Sequence, residues 1–224
     1  MEGFLAFPLE LIPFVAITLI FAFTLHEYAH AFVAYKFGDL TAAKQGRLTL
    51  SPMAHLDPLG TILIFLVGFG WAKPVPVNRF FFKRARLAGV LVSIAGPLSN
   101  LFLAIIGAFL FLVLIKFGLY ETVSATAWRA IETFFSVFVM LNIILFIFNL
   151  LPIPPLDGYR IIHDLVPNRI RPQLTKLEPF GMIFFLALVL IRPLYDVTIG
   201  LLFSTVYPTI EKGIFDFLAT LLML

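Results

Sequence analysis

Residues 11–37 read LIPFVAITLIFAFTLHEYAHAFVAYKF, and the fold follows from how that stretch is interpreted. About 20 apolar residues suffice to cross the hydrocarbon of a bilayer, so this run predicts a membrane-spanning helix. Grouped well inside it are His26, Glu27 and His30. A charged group at that depth costs several kcal/mol, so a cluster of them marks a functional site. On a helix the two histidines fall on one face, about 5–6 Å apart at Cβ. That spacing suits two bonds to a zinc ion, with Glu27 alongside as a general base.

The rest of the composition agrees with a membrane protein. The chain has 224 residues, 61% of them hydrophobic and 13% charged, with a mean hydropathy of +1.02. Soluble domains carry about 25% charged residues. The length fits a single domain over residues 1–224, an all-α polytopic bundle embedded in the lipid bilayer. A net charge of +3 does not indicate nucleic-acid binding, because the basic residues lie between apolar runs. There is no cysteine, so any zinc must be held by His and carboxylate. No basic segment or small-residue cleavage pattern opens the chain, and no removable signal peptide is expected.

Three core spans are predicted, at residues 11–37, 87–115 and 131–151, the second interrupted near its start by Gly96-Pro97. Residues 59–70 are apolar but too short to cross, and read as a re-entrant or interfacial piece. Residues 71–78, with Pro74 and Pro76, suit an extended, strand-like edge. Residues 116–130 read as a short polar connection, and residues 159–178 are polar and basic. Beyond Pro179 the apolar pieces allow either one or two further spans.

Loop charge orients the bundle. With the N-terminus outside, residues 38–86 face the cytoplasm with seven Lys/Arg and residues 159–178 with four, while residues 116–130 face outward with two. This is the asymmetry expected of membrane proteins. The first span then ends on the cytoplasmic side just after His30, and the third just before Asp157. A two-histidine zinc site needs a third protein ligand and an open position for water, and Asp157 is the candidate. Zinc-bound water, its pKa lowered to roughly 7, would be the nucleophile, with Glu27 taking its proton.

HEYAH within a span, followed by Asn149-Leu150-Leu151-Pro152 and Leu156-Asp157-Gly158, resembles the site-2 protease family of intramembrane zinc metalloproteases. The second motif matches that family's NxxPxPxxDG pattern, and the likeness covers roughly residues 10–165. The resemblance is to minimal prokaryotic members, without PDZ or CBS domains. It implies one Zn2+ on His26, His30 and Asp157, Glu27 as catalytic base, and cleavage of transmembrane protein substrates within the bilayer. It also implies that Asn149 steadies the substrate carbonyl or the oxyanion.

Other residues carry weaker signals. Asn100 is an amide able to hydrogen-bond across helices. His55 and Asp57 are either an approach to the site or, as loop residues usually are, simply solvated. His163 reads as a surface residue. Residues 68–77 offer either a strand edge to an unwound substrate or an interfacial anchor built on Trp71. The competing class is a metal-ion transporter or metal-binding scaffold. A transporter needs polar groups right across the spans, whereas here they gather at one end.

Overall fold

The computed structural model describes residues 5–224. Helix α1 spans Ile12–Lys36, with Pro13 in its first turn, where a missing N–H costs nothing. It stops at Gly38, whose φ of 98° an L side chain would resist. Helix α2, Pro58–Val67, begins where Asp57 accepts a hydrogen bond from Gly60 N at 2.8 Å. Its 10 residues rise about 15 Å, half of the hydrocarbon thickness, so it cannot cross.

Helix α3 runs unbroken over Ala85–Lys116 with Pro97 inside it, which corrects the expected interruption. A proline within a helix costs about 3 kcal/mol. Val92 and Ala104, on both sides of Pro97 along the helix, are buried. Helix α4, Ala125–Asn149, begins six residues before the predicted 131 because Ser124 caps it, its hydroxyl accepting from Ala127 N at 3.2 Å.

Residues 159–178, polar and basic in sequence, are largely helical. Asp157–Leu165 form helix α5, and helix α6 occupies Arg171–Leu190. The buried side of α5 carries Asp157 and Asp164 rather than aliphatic residues, so apolar periodicity does not reveal it. After a single turn at Arg192–Tyr195 and a π-helical stretch at Asp196–Gly200, helix α7 covers Leu201–Leu222.

Among the described residues, four helices are long and apolar enough to cross a membrane: α1, α3, α4 and α6. The chain is a multi-pass, all-α membrane protein. Helix α7, which carries Glu211, Lys212 and Asp216, packs along α3 and α4 through Leu202, Val206 and Ile210. A second cluster binds α1 to α2 and α4 through Val15, Leu19, Phe23, Ile64 and Val137.

The strand-like element is reduced to a single antiparallel bridge between Leu56 and Ala72, and no strand forms among the described residues. Pro74 and Pro76 lack the N–H groups that would extend the bridge into a ladder.

Candidate metal centre

The last third of α1 presents His26 and His30 on one face, and the first residue of α5 brings Asp157 to them. His26 Nε2 and His30 Nε2 lie 3.0 Å apart. Asp157 Oδ2 is 3.2 Å from each of them. All three side chains are buried. Ligand atoms held tetrahedrally around zinc at 2.0–2.1 Å stand about 3.3 Å from one another, so this triangle has the right size.

The outer sides of the rings strengthen the fit. His30 Nδ1 lies 2.7 Å from the Val92 carbonyl, which can only accept, so Nδ1 carries the proton. His26 Nδ1 lies 2.8 Å from Asn100 Oδ1. Asn100 is oriented in turn, its Nδ2 donating to Asn142 Oδ1 at 3.2 Å and to the Ala22 carbonyl at 3.4 Å. Asn142 donates to the Phe138 carbonyl at 2.9 Å. Both Nε2 lone pairs therefore point at one another across 3.0 Å, an arrangement favourable only around a cation.

Gly96 of α3 makes room for the pair. A Cβ at that position would lie 2.3 Å from His30 Nε2 and 2.6 Å from His26 Nε2. Glu27 is also buried, and its Oε2 accepts from Val75 N at 2.7 Å. The histidines, Glu27, Asp157 and Asn149 all border one cavity of about 920 Å³, otherwise walled largely by side chains such as Leu19, Phe23, Ile64 and Phe148. Asn149 donates to the Leu145 carbonyl at 2.9 Å, which commits one of its two N–H bonds.

Comparison with known proteins decides the family. The chain is 61% identical over 188 residues to YwhC of Bacillus subtilis, a protein named as a zinc metalloprotease, with 84% of this chain and 85% of that protein covered. The chain belongs to peptidase family M50. A model of that family matches residues 115–191, the part that carries Asn149 and Asp157. Rip2 of Mycobacterium tuberculosis, also named as a zinc metalloprotease, is 34% identical over 189 residues, covering 82% of this chain and 67% of that protein. No solved structure matches the chain. The resemblance to the site-2 proteases, which are zinc enzymes, thus holds.

In this M50 peptidase the remaining sequence candidates fall outside the metal triangle. His55 is not solvated but fully buried, its Nε2 lying 2.7 Å from the Thr49 carbonyl and its backbone carbonyl accepting from Lys73 N at 2.8 Å. It pins residues 71–78 rather than approaching the site, and the loop residues around it gave no sign that it would fold inward. Asp57 caps α2. His163 is half-buried beside Thr175, at 3.1 Å. Gly96 stands out in the sequence only as a helix interruption, and two further supports are not evident there. The Val92 carbonyl offers no side-chain signal. Asn142 offers only that of an amide in an apolar span.

Proposed function

We propose that this M50 peptidase hydrolyses peptide bonds in or near transmembrane segments of other membrane proteins, at the cytoplasmic end of its own spans. The observation that carries the reading is the buried His26–His30–Asp157 triangle opening, beside Glu27, into a largely apolar cavity. A cavity of that size, walled by Leu, Phe and Ile side chains, accepts an apolar segment better than a hydrated ion.

In this reading His26, His30 and Asp157 hold Zn2+, which when bound acidifies water to a pKa near 7 and polarises the scissile carbonyl. Glu27 accepts a proton from the attacking water as the new C–O bond forms, and returns it to the departing amine as the C–N bond breaks. Val75 N–H, by holding Oε2, leaves Oε1 as the oxygen that carries that proton. Asn149 has a second N–H free of the Leu145 carbonyl to meet the substrate oxygen.

A substrate helix must unwind before its backbone can be attacked. Residues 71–78 suit a strand docked beside it, but Pro74 and Pro76 have no N–H, so an incoming strand would find carbonyls there as its partners.

The test compares wild type with Glu27→Gln, both reconstituted with a model single-span substrate. Cleavage by wild type alone supports the proposal. Zinc flux into the vesicles without cleavage would replace it with a transporter. Orientation is checked separately. The chain has no cysteine, so Gln45→Cys, at an exposed site, should react with an impermeant maleimide only from the cytoplasmic side. Labelling from outside would overturn the orientation.

A further inference from the structure

Asp164 is a buried carboxylate that the peptidase reaction does not use. Its side chain is almost inaccessible, although Leu165 beside it on the short helix α5 is exposed. Arg79 Nη1 donates to its Oδ1 at 2.5 Å, and Arg171 Nη2 donates to its backbone carbonyl at 2.7 Å. Its Oδ2 has no hydrogen-bond partner among the described residues. That oxygen presses instead against Gly89 of α3, where a Cβ would stand only 2.2 Å away. Burial pushes the carboxyl of Asp164 upward against the influence of Arg79 and Arg171, so the position is one the chain holds at a cost.

The spacing explains that cost. Asp164 lies seven residues after Asp157, two helical turns or about 10.5 Å along the same face of α5. Gly89 likewise lies seven residues before Gly96 on α3. Gly96 seats the two histidines that meet Asp157, while Gly89 seats Asp164. The two helices therefore run antiparallel, meeting directly at one point and, two turns away, through the histidine rings of α1. The direct point is the Asp164–Gly89 contact locked by Arg79, and the other is the metal triangle.

We infer that Asp164, clamped between Arg79 and Gly89, is a positioning residue that sets the axial register of α5 on α3 and so delivers Asp157 to the metal. The inference rests on the ligand role proposed for Asp157. A slip of one residue would move Asp157 by about 1.5 Å and 100° of rotation, enough to remove it from bonding distance. Helix α5 follows a proline-broken stretch, Pro152 to Pro155, and has only nine residues. Gly158 against the Leu150 carbonyl and Tyr159, donating to the Leu174 carbonyl at 2.8 Å, tie it to its neighbours near Asp157, and the Asp164 clamp ties its other end to α3.

The experiment measures zinc affinity of the full-length protein in detergent by competition with a chromogenic chelator, together with the visible spectrum of the Co2+ form. Asp157→Ala is the reference and should weaken zinc binding; if it does not, the ligand assignment fails and the register idea falls with it. Given that loss, Asp164→Ala should weaken zinc binding roughly 10–100-fold, as disturbed outer partners of metal ligands do, and should lower the tetrahedral Co2+ absorption. In the Asp157→Ala background, Asp164→Ala should add no further loss to the residual two-histidine affinity. An equal further loss would show that Asp164 acts on the whole fold and would overturn the inference. Should Asp164→Ala not fold, Arg79→Ala and Gly89→Ala decide. The first frees the carboxylate from a partly exposed partner, and the second displaces it. Both should weaken zinc binding several-fold, with Arg79→Lys recovering part of the loss. Wild-type affinity in both would overturn the inference.

Discussion

The carboxylate of Glu27 is held at 2.7 Å by the backbone N–H of Val75, from a segment 48 residues further along the chain. In the proposed mechanism the base is thereby oriented by a backbone group rather than by another side chain. Glutamine keeps this bond, because its Oε1 can accept from Val75 N, but it cannot take up a proton. Glu27→Gln should therefore fold normally and retain its zinc while cleavage falls by at least about 100-fold. Metal analysis and cleavage of a reconstituted membrane substrate check the two halves. Persistent proteolysis would remove Glu27 from the mechanism.

Asp157 approaches both histidines through the same oxygen, Oδ2, at 3.2 Å. Without it, zinc would have two protein ligands instead of three, below what stable catalytic sites use. Asp157→Ala should purify with much less than one zinc per chain, and added zinc should not restore cleavage. Chelation of the wild-type protein should abolish cleavage, and added zinc should recover it. Full zinc content in the variant would mean that another group supplies the third bond.

The sequence exposed the parts of this arrangement whose chemistry is unusual for their surroundings. His26, Glu27 and His30 stand out in an apolar span, and Asp157-Gly158 stands out at the end of another. Loop charge placed the two motifs at one end of the bundle before any coordinates did so. It could not expose contacts made by ordinary groups. The Val92 carbonyl that holds His30 belongs to every residue type, and Gly96 reads as a helix interruption until the two rings are seen against it. Helix α5 was hidden because its buried face is acidic, and His55 because burial of a loop histidine depends on the Thr49 carbonyl folding over to meet it.

Asn100 and Asn142 form a relay of amides from α4 through α3 to His26, entirely buried. Asn100→Ala removes the acceptor that keeps the proton on Nδ1 and leaves Asn142 Oδ1 without its partner. Zinc affinity should fall about 10–100-fold, with a smaller loss for Asn142→Ala, which touches His26 only through Asn100. The double variant should resemble Asn100→Ala rather than the sum, because the two residues act in series. Chelator competition on the four proteins reads this out directly. Strict additivity would show that Asn142 supports the spans independently of the metal.

Gly96→Ala separates the site from the helix that carries it. Alanine favours a helix interior by about 0.5–1 kcal/mol over glycine, so α3 taken alone should gain stability. The added methyl, however, would stand 2.3 Å from His30 Nε2 and 2.6 Å from His26 Nε2, well inside contact distance. Backbone cannot yield easily there, because α3 packs against both α1 and α4. The rings must turn away, which breaks the bonds of their Nδ1 atoms to Val92 and Asn100. The expected result is native helical content by circular dichroism with zinc affinity lowered more than 10-fold and cleavage lost. Retained zinc would mean that the two histidines have room to retreat together, and that the close approach of α3 is not what fixes the metal geometry.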